Sequence, residues 1–260
     1  MRPLALLFFV ACSGSSPHQE PPTAAEPSSG SQSHTPACAQ APLASLLATA
    51  SLEGELEGEA MEYSAQLDGE GERETILHAR MLQGEPDNPM SAGIVTDHLV
   101  VFECRDGALS LAGSWTFDAT PDNGTIDCNT GIRRVDMQRV AEREMLVVTT
   151  HQCQGSVDPR WDDERMRFLA YSGEGFDEVF SCAFREDHAT GPCRSGASIR
   201  RRINISHEEV PTIQVSMERS FNPGTCENET PGPDEGDLSQ EATYSWSGTS
   251  FVPSGEDVCR

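Results

Sequence analysis

Apolar positions in this chain of 260 residues recur mainly at every second residue. In "ERMRFLAYSGEGFDEVFSCAF", Met166, Phe168 and Ala170 alternate along one stretch. A Gly-containing turn follows, and then Phe176, Val179 and Phe180. Side chains of a strand point to opposite faces in turn, so this pattern predicts strand, tight turn, strand. The same grammar occurs twice more. "DHLVVFECRDGALSLAGSWTF" places "RDG" between two apolar runs, and "PTIQVSMERSF" alternates at Ile213, Val215 and Met217 before a loop and "EATYSWSGTSF". The hexapeptides "YSGEGF" (171–176) and "WSGTSF" (246–251) repeat a hairpin signature. Gly173 and Gly248 would supply the positive φ of the turn, and Phe176 and Phe251 would be buried in corresponding places on the return strands. A second echo, "GERETIL" (71–77) and "AEREMLV" (141–147), shares Glu-Arg-Glu ahead of an apolar strand start. The chain thus reads three times as strand, loop, strand, Gly turn, strand. We therefore expect an all-β fold of repeated antiparallel β-meanders, propeller-like or in open stacked sheets. Three units are too few for the usual closed propeller, which favours the open form. One short N-terminal helix is expected in "PLASLLATASLEGEL", docking Leu43, Leu46 and Leu47 on the sheet.

The N-terminus follows a different pattern. Arg2 precedes an apolar run from Leu4 to Ala11, too short to span a bilayer and typical of a secretory signal. The run stops at Cys12, and "FVAC" resembles the lipobox of bacterial lipoproteins, with Phe9 in place of the usual Leu. That resemblance implies cleavage before Cys12, lipidation of its thiol and acylation of its amine. Several acyl chains together anchor stably where one does not. The chain then runs rich in Ser, Pro, Gly, Gln, Ala and Thr to Pro42, a composition that cannot bury enough surface to offset its ordering entropy. The expected organisation is a signal peptide at 1–11, a lipidated Cys12 with a tether at 12–42, and a β domain at 43–260. Ser13 after the lipid cysteine resembles the type exported onward to the outer membrane of a Gram-negative envelope.

Charge and cysteine content narrow the classes further. The net charge is −24, from 42 acidic residues against 18 arginines. Phosphate backbones need the opposite sign, so no nucleic-acid partner is expected, whereas a cationic or protein partner is compatible. Apart from Cys12, the cysteines are Cys38, Cys104, Cys128, Cys153, Cys182, Cys193, Cys226 and Cys259. Eight in an exported chain imply four disulfides among 105 pairings, which sequence alone does not resolve. Zinc is not expected, because there is no C-x-x-C pair and His151 and Cys153 lack neighbours of ligand spacing.

"QLDGEGERETIL" resembles the acidic strand-leading loop of FG-GAP/VCBS-type repeats, found in integrin-like propellers and in bacterial, myxobacterial-type surface lipoproteins. In that family the loop holds calcium through oxygen ligands. The resemblance implies Gln66, Asp68, Glu70 and Glu74 as side-chain ligands and the Glu72 carbonyl as a backbone ligand; no other cofactor is expected. The second copy, with Asp136, Gln138, Val140 and Glu144, is not expected to bind. Glu53, Glu55, Glu57, Glu59 and Glu62 read as a solvated face. The run 200–202 reads as a charged edge strand, Asp162 and Asp163 as a loop, and Trp115, Trp161 and Trp246 as core. No G-x-S-x-G elbow or paired-histidine zinc motif is present, and "HEEVP" at His207 lacks a second histidine. The expected function is a lipid-anchored, non-enzymatic binding or interaction module of the envelope. The alternatives are a secreted hydrolase on a propeller-like scaffold and a calcium-dependent adhesion module.

Overall fold

The computed structural model describes residues 41–69, 71–84, 94–105, 107–119, 130–154, 160–189, 195–206, 211–222 and 237–259. Among these residues one helix, α1 (Leu43–Ala50), precedes thirteen strands. The first group is β1 (Glu55–Leu56), β2 (Met61–Ala65), β3 (Glu74–Gln83), β4 (Ile94–Arg105) and β5 (Ala108–Asp118). The second is β6 (Gly131–Val140), β7 (Arg143–Gln154), β8 (Arg160–Tyr171) and β9 (Phe176–Ala189). The third is β10 (Gly196–Ser206), β11 (Thr212–Asn222), β12 (Leu238–Trp246) and β13 (Phe251–Pro253).

The expected three-strand unit is present in each group as β3–β5, β7–β9 and β11–β13, with one further strand in front of it. The repeat is therefore a four-stranded antiparallel meander, occurring three times. The groups do not form separate blades. β1 and β2 share one edge of β3 in a five-stranded sheet, while β6 to β13 run in order through one eight-stranded sheet. The seam between the second and third meanders is narrow: β9 and β10 pair only at residues 185–187 and 198–200, against the full-length register of β10 on β11. The architecture is an open stack of meanders, neither a propeller nor a closed barrel.

Three apolar clusters hold these layers. Leu46 is fully buried on the outer face of the five-stranded sheet against Leu77, Ala79, Val100 and Phe102, with Leu47 and Ala50 beside it. Leu43 stays 37% exposed, contrary to expectation. At 100° per residue Leu43 lies on the same stripe as Leu46, Leu47 and Ala50, but it is the first residue of the helix, a turn before the buried Leu46. The inner face supplies Ile76, Val95, Leu99, Val101 and Phe117 to a second cluster, shared with Val148, Leu169 and Tyr171 of the other sheet. On that other sheet, Met145, Val147, Phe168 and Ala170 point the opposite way. They join Phe180, Ile213, Val215, Tyr244 and Phe251 in the third cluster. β7 and β8 are therefore buried on both faces, which explains the continuous apolar runs "MLVV" and "FLAY" where one-sided strands would alternate. Phe168 meets Phe251 at 5.6 Å and Phe180 meets Tyr244 at 5.1 Å between ring centroids, so the eight-stranded sheet curls until β12 and β13 lie over β8 and β9.

The two hexapeptide turns match in backbone detail. Gly173 and Gly248 have φ of 92° and 99°. Ser172 N–H donates to Gly175 O, and Ser247 N–H to Ser250 O, both at 2.9 Å. Tyr171 pairs with Phe176, and Trp246 with Phe251. The side chains differ. Phe251 is buried in the third cluster, whereas Phe176 is only partly buried and packs on the second. Each cross-strand pair shares a face, and the two hairpins turn that face toward different cores.

Three further expectations are corrected. The 200–202 run is interior, not edge: Arg201 is buried, donating to Val258 O at 2.6 Å and Ala183 O at 2.9 Å and pairing with Glu186. Arg200 pairs with Asp187 at 2.9 Å. These contacts reinforce the seam, where backbone pairing covers only three residues of each strand. Asp162 and Asp163 lie within β8, not in a loop. Trp115 and Trp246 are half-buried at the margins of the clusters, and Trp161 is half-buried too. Cys182 and Cys259 form a disulfide that pins the C-terminal segment to β9, and Cys104 and Cys153 are also disulfide-bonded. Cys12, Cys38, Cys128, Cys193, Cys226, Glu70 and His207 lie outside the described residues. So do the expected signal peptide and almost all of the expected tether. Among the described residues no helix is long and apolar enough to cross a membrane.

Candidate functional site

The Glu-Arg-Glu echoes meet in space. Strands β2 and β3 are joined by residues 66–73, while the corresponding connection of β6 to β7 is only Ala141 and Glu142, with Ala141 at φ 56°. The short turn lies against the long loop, Gly69 facing the Glu142 carbonyl. The equivalent glutamates of the two echoes then hold adjacent amides of that loop. Glu144 Oε2 accepts from Gln66 N–H at 2.7 Å, and Glu74 Oε2 accepts from Leu67 N–H at 2.7 Å. Glu144 N–H in turn donates to Gln66 O at 2.8 Å, and Arg73 Nη2 donates to the Glu144 carboxylate at 2.8 Å. The motif that reads as a repeat marker is thus a clasp between the first and second meanders.

Held in this way, the loop forms one wall of a cleft of about 350 Å³ lined by Asp68, Glu72, Arg73, Glu74, Glu103 and Cys104. Tyr171, the aromatic of the first hexapeptide, touches one of its lining residues from the second meander: its hydroxyl lies 3.1 Å from Glu103 Oε1 and 3.1 Å from Gly173 O. Arg105 Nε donates to the other Glu103 oxygen at 2.7 Å. Burial pushes the Glu74 carboxyl above its usual range, against the lowering effect of the Leu67 amide, and Asp68 and Glu103 push it further up. Burial likewise raises the Tyr171 phenol far above its usual value, with the Glu103 hydrogen bond acting in the same direction. Such a cleft concentrates negative potential in a partly enclosed space, and its chemistry is to receive a cation, an amine or a guanidinium.

The oxygen set implied for calcium is only partly gathered here. Asp68, Glu72 and Glu74 all line the cleft, but Gln66 does not. Its side chain donates to Asp68 Oδ1 at 3.3 Å and its backbone amide is held by Glu144. Glu74 turns one oxygen to the Leu67 amide. The only group of three or more ligand atoms close enough to hold a metal among the described residues is elsewhere, at His151, Asp162 and Glu164. The described residues of the loop therefore do not make a calcium cage. In the second copy the loop is reduced to two residues and cannot wrap an ion.

Sequence reasoning identified Asp68, Glu72 and Glu74 but not Glu103, Tyr171 or Glu144, which approach from other strands. Glu144 carried a signal, since the echo quoted it; its partner across 78 residues carried none. The exposed run of Glu55, Glu57, Glu59 and Glu62 is solvated as expected, with Glu57 paired to Arg80 at 2.9 Å. Comparison with protein-family models, curated proteins and solved structures finds no match to this chain.

Proposed function

We propose that this chain is an envelope lipoprotein, anchored through Cys12 on the outer membrane of a Gram-negative cell, whose β domain is a non-enzymatic interaction module for a cationic partner. The observation that carries the interaction reading is the cleft at the clasp, where Asp68, Glu72, Glu74 and Glu103 stand around one arginine. Its lining residues all belong to the first meander, and the clasp to Glu144 of the second meander holds the loop that forms one of its walls. The apolar run ending at Cys12 and the Ser/Pro-rich tether supply the anchoring part of the proposal.

The test is binding of a defined cationic probe, an oligo-arginine peptide, to the detergent-solubilised full chain at several salt concentrations. Opposite-charge binding weakens as salt screens it. The triple substitution Asp68→Asn, Glu72→Gln, Glu103→Gln should weaken binding about fivefold or more, which corresponds to about 1 kcal/mol. The exposed-face control Glu55→Gln, Glu59→Gln, Glu62→Gln removes the same charge and should change it far less. Equal losses in the two triples would reduce the cleft to general acidity and refute the site.

A further inference from the structure

A second cluster lies away from the cleft, on the eight-stranded sheet. His151 of β7 stands directly opposite Glu164 of β8, and Asp162 is two residues from Glu164 along the same strand. Period two puts Asp162 and Glu164 on one side of β8. His151 Nε2 lies 2.9 Å from Asp162 Oδ1, and one ligand atom from each of the three residues falls within 4.8 Å of the others. His151 is almost buried, with 11% of its side chain exposed, and the two carboxylates are about one-third exposed, at 35% and 31%. A site built on paired strands is pre-positioned in a way that loop residues are not.

Among the described residues two arginines contact this cluster, and Arg185 holds it loosely. Arg185 approaches Asp162 at 3.8 Å and Glu164 at 3.7 Å, while its close bond, 2.9 Å, goes to Asp187. Arg133, an exposed side chain, donates from Nη2 to His151 Nδ1 at 2.9 Å. A guanidinium has no acceptor, so Nδ1 must carry the lone pair and Nε2–H must donate to Asp162. We infer that His151, Asp162 and Glu164 form a binding site for a divalent first-row transition metal ion, of which Zn²⁺ and Co²⁺ are representative. One imidazole and two carboxylates with positions left for water suit that class. Bond lengths of about 2.1 Å in a tetrahedral site bring ligand atoms to about 3.4 Å from one another, so the side chains need to close by roughly 1 Å. Coordination through Nε2 moves the imidazole proton to Nδ1. Nδ1 then donates and no longer accepts, so Arg133 must leave it. Arg133 acts as a competitor of the metal, and its exposure makes the departure inexpensive.

The test is titration of the detergent-solubilised full chain with Co²⁺, read by the visible ligand-field absorption of the bound ion, followed by displacement with Zn²⁺. One saturable site is expected. Asp162→Asn, nearly isosteric, and His151→Ala should each weaken binding about tenfold or more, with far-ultraviolet circular dichroism confirming the fold of each variant. Arg133→Ala should tighten binding several-fold, a gain that diffuse attraction to an acidic surface gives only weakly and that the exposed control Arg134→Ala should not reproduce. Absence of a saturable band, undiminished binding by both folded ligand variants, or equal effects of Arg133→Ala and Arg134→Ala would overturn the inference.

Discussion

Removing the Glu144 carboxylate should loosen the first meander from the second. In Glu144→Ala the half-buried Gln66 amide loses a charge-assisted hydrogen bond of 2.7 Å, a change of about 1.5–3 kcal/mol. The Arg73–Glu144 pair adds little, because Arg73 is 51% exposed and screened by water; roughly 0.2–1 kcal/mol is appropriate. The total is about 2–4 kcal/mol, or a fall of roughly 4–16 °C in midpoint for a domain of this size. Glu144→Gln keeps an oxygen for the amide and should cost only about 1 kcal/mol, as should Arg73→Ala. The assay is urea unfolding of the disulfide-intact chain followed by near-ultraviolet circular dichroism. Glu142→Ala, an exposed change in the same turn, is the control and should stay within about 0.5 kcal/mol of the parent. If Glu144→Ala is no more destabilising than Glu142→Ala, the clasp does not hold the meanders together.

Other consequences are equally concrete. All three tyrosines have phenols raised above the usual value, each chiefly by burial, with Asp136 adding to Tyr63, Glu103 to Tyr171 and Asp257 to Tyr244, which reaches about 12. Absorbance at the phenolate band should therefore show no native tyrosine ionising at its ordinary pH, and all three doing so there after denaturation. Because the native state favours the neutral phenol, the Tyr244 contribution to stability is complete below about pH 10 and is lost as pH rises from there to about 12. Burial alone would raise Asp187, but hydrogen bonds from Arg200, Ser198 and Arg185 outweigh it and hold the carboxyl at about 2. Its contribution, about 1–2 kcal/mol after allowing for solvent, is present above about pH 4 and lost as pH falls to about 2; Asp187→Asn should flatten that part of the stability profile. At Gly113 a Cβ would stand 2.8 Å from Glu174 O and 2.9 Å from Gly175 N, so Gly113→Ala should push β5 off the hairpin turn and cost about 1–3 kcal/mol in the same urea assay. At Gly173 a Cβ would meet no neighbour within 4 Å, so Gly173→Val should cost chiefly the backbone strain of a positive φ, roughly 1–3 kcal/mol, while Glu174→Ala should be nearly silent.

Local pattern carried the meanders, since a period of two with Gly turns is written into each strand pair. It missed the opening strand of every unit for separate reasons. β2 is short and largely exposed, and β10 spends its middle on Arg200, Arg201 and Arg202, which do not read as strand interior. The two-sided burial of β7 and β8 was visible only as unbroken apolar runs, which do not say which face meets which sheet. Phe176 and Phe251 show the same limit: their turns are alike, but the core each one meets is a property of the tertiary stack. In the cleft, the loop carboxylates Asp68, Glu72 and Glu74 were legible because they lie within seven residues of one another. Glu103 and Tyr171 were not, being 68 residues apart and brought together by sheet docking. The His151 cluster escaped because its carboxylates stand on the next strand, where spacing rules for contiguous metal motifs do not look.

The lipid anchor is the part of the account on which the envelope role depends, and it can be measured directly. The full-length chain, expressed in a Gram-negative host with its own N-terminus, should be recovered with the membranes and digested for mass spectrometry. The account predicts an N-terminal peptide beginning at Cys12 and carrying a diacylglyceryl thioether and an amide-linked acyl chain, with Cys12→Ser recovered unlipidated. A wild-type N-terminal peptide that retains residues 1–11 and a free Cys12 thiol would contradict it.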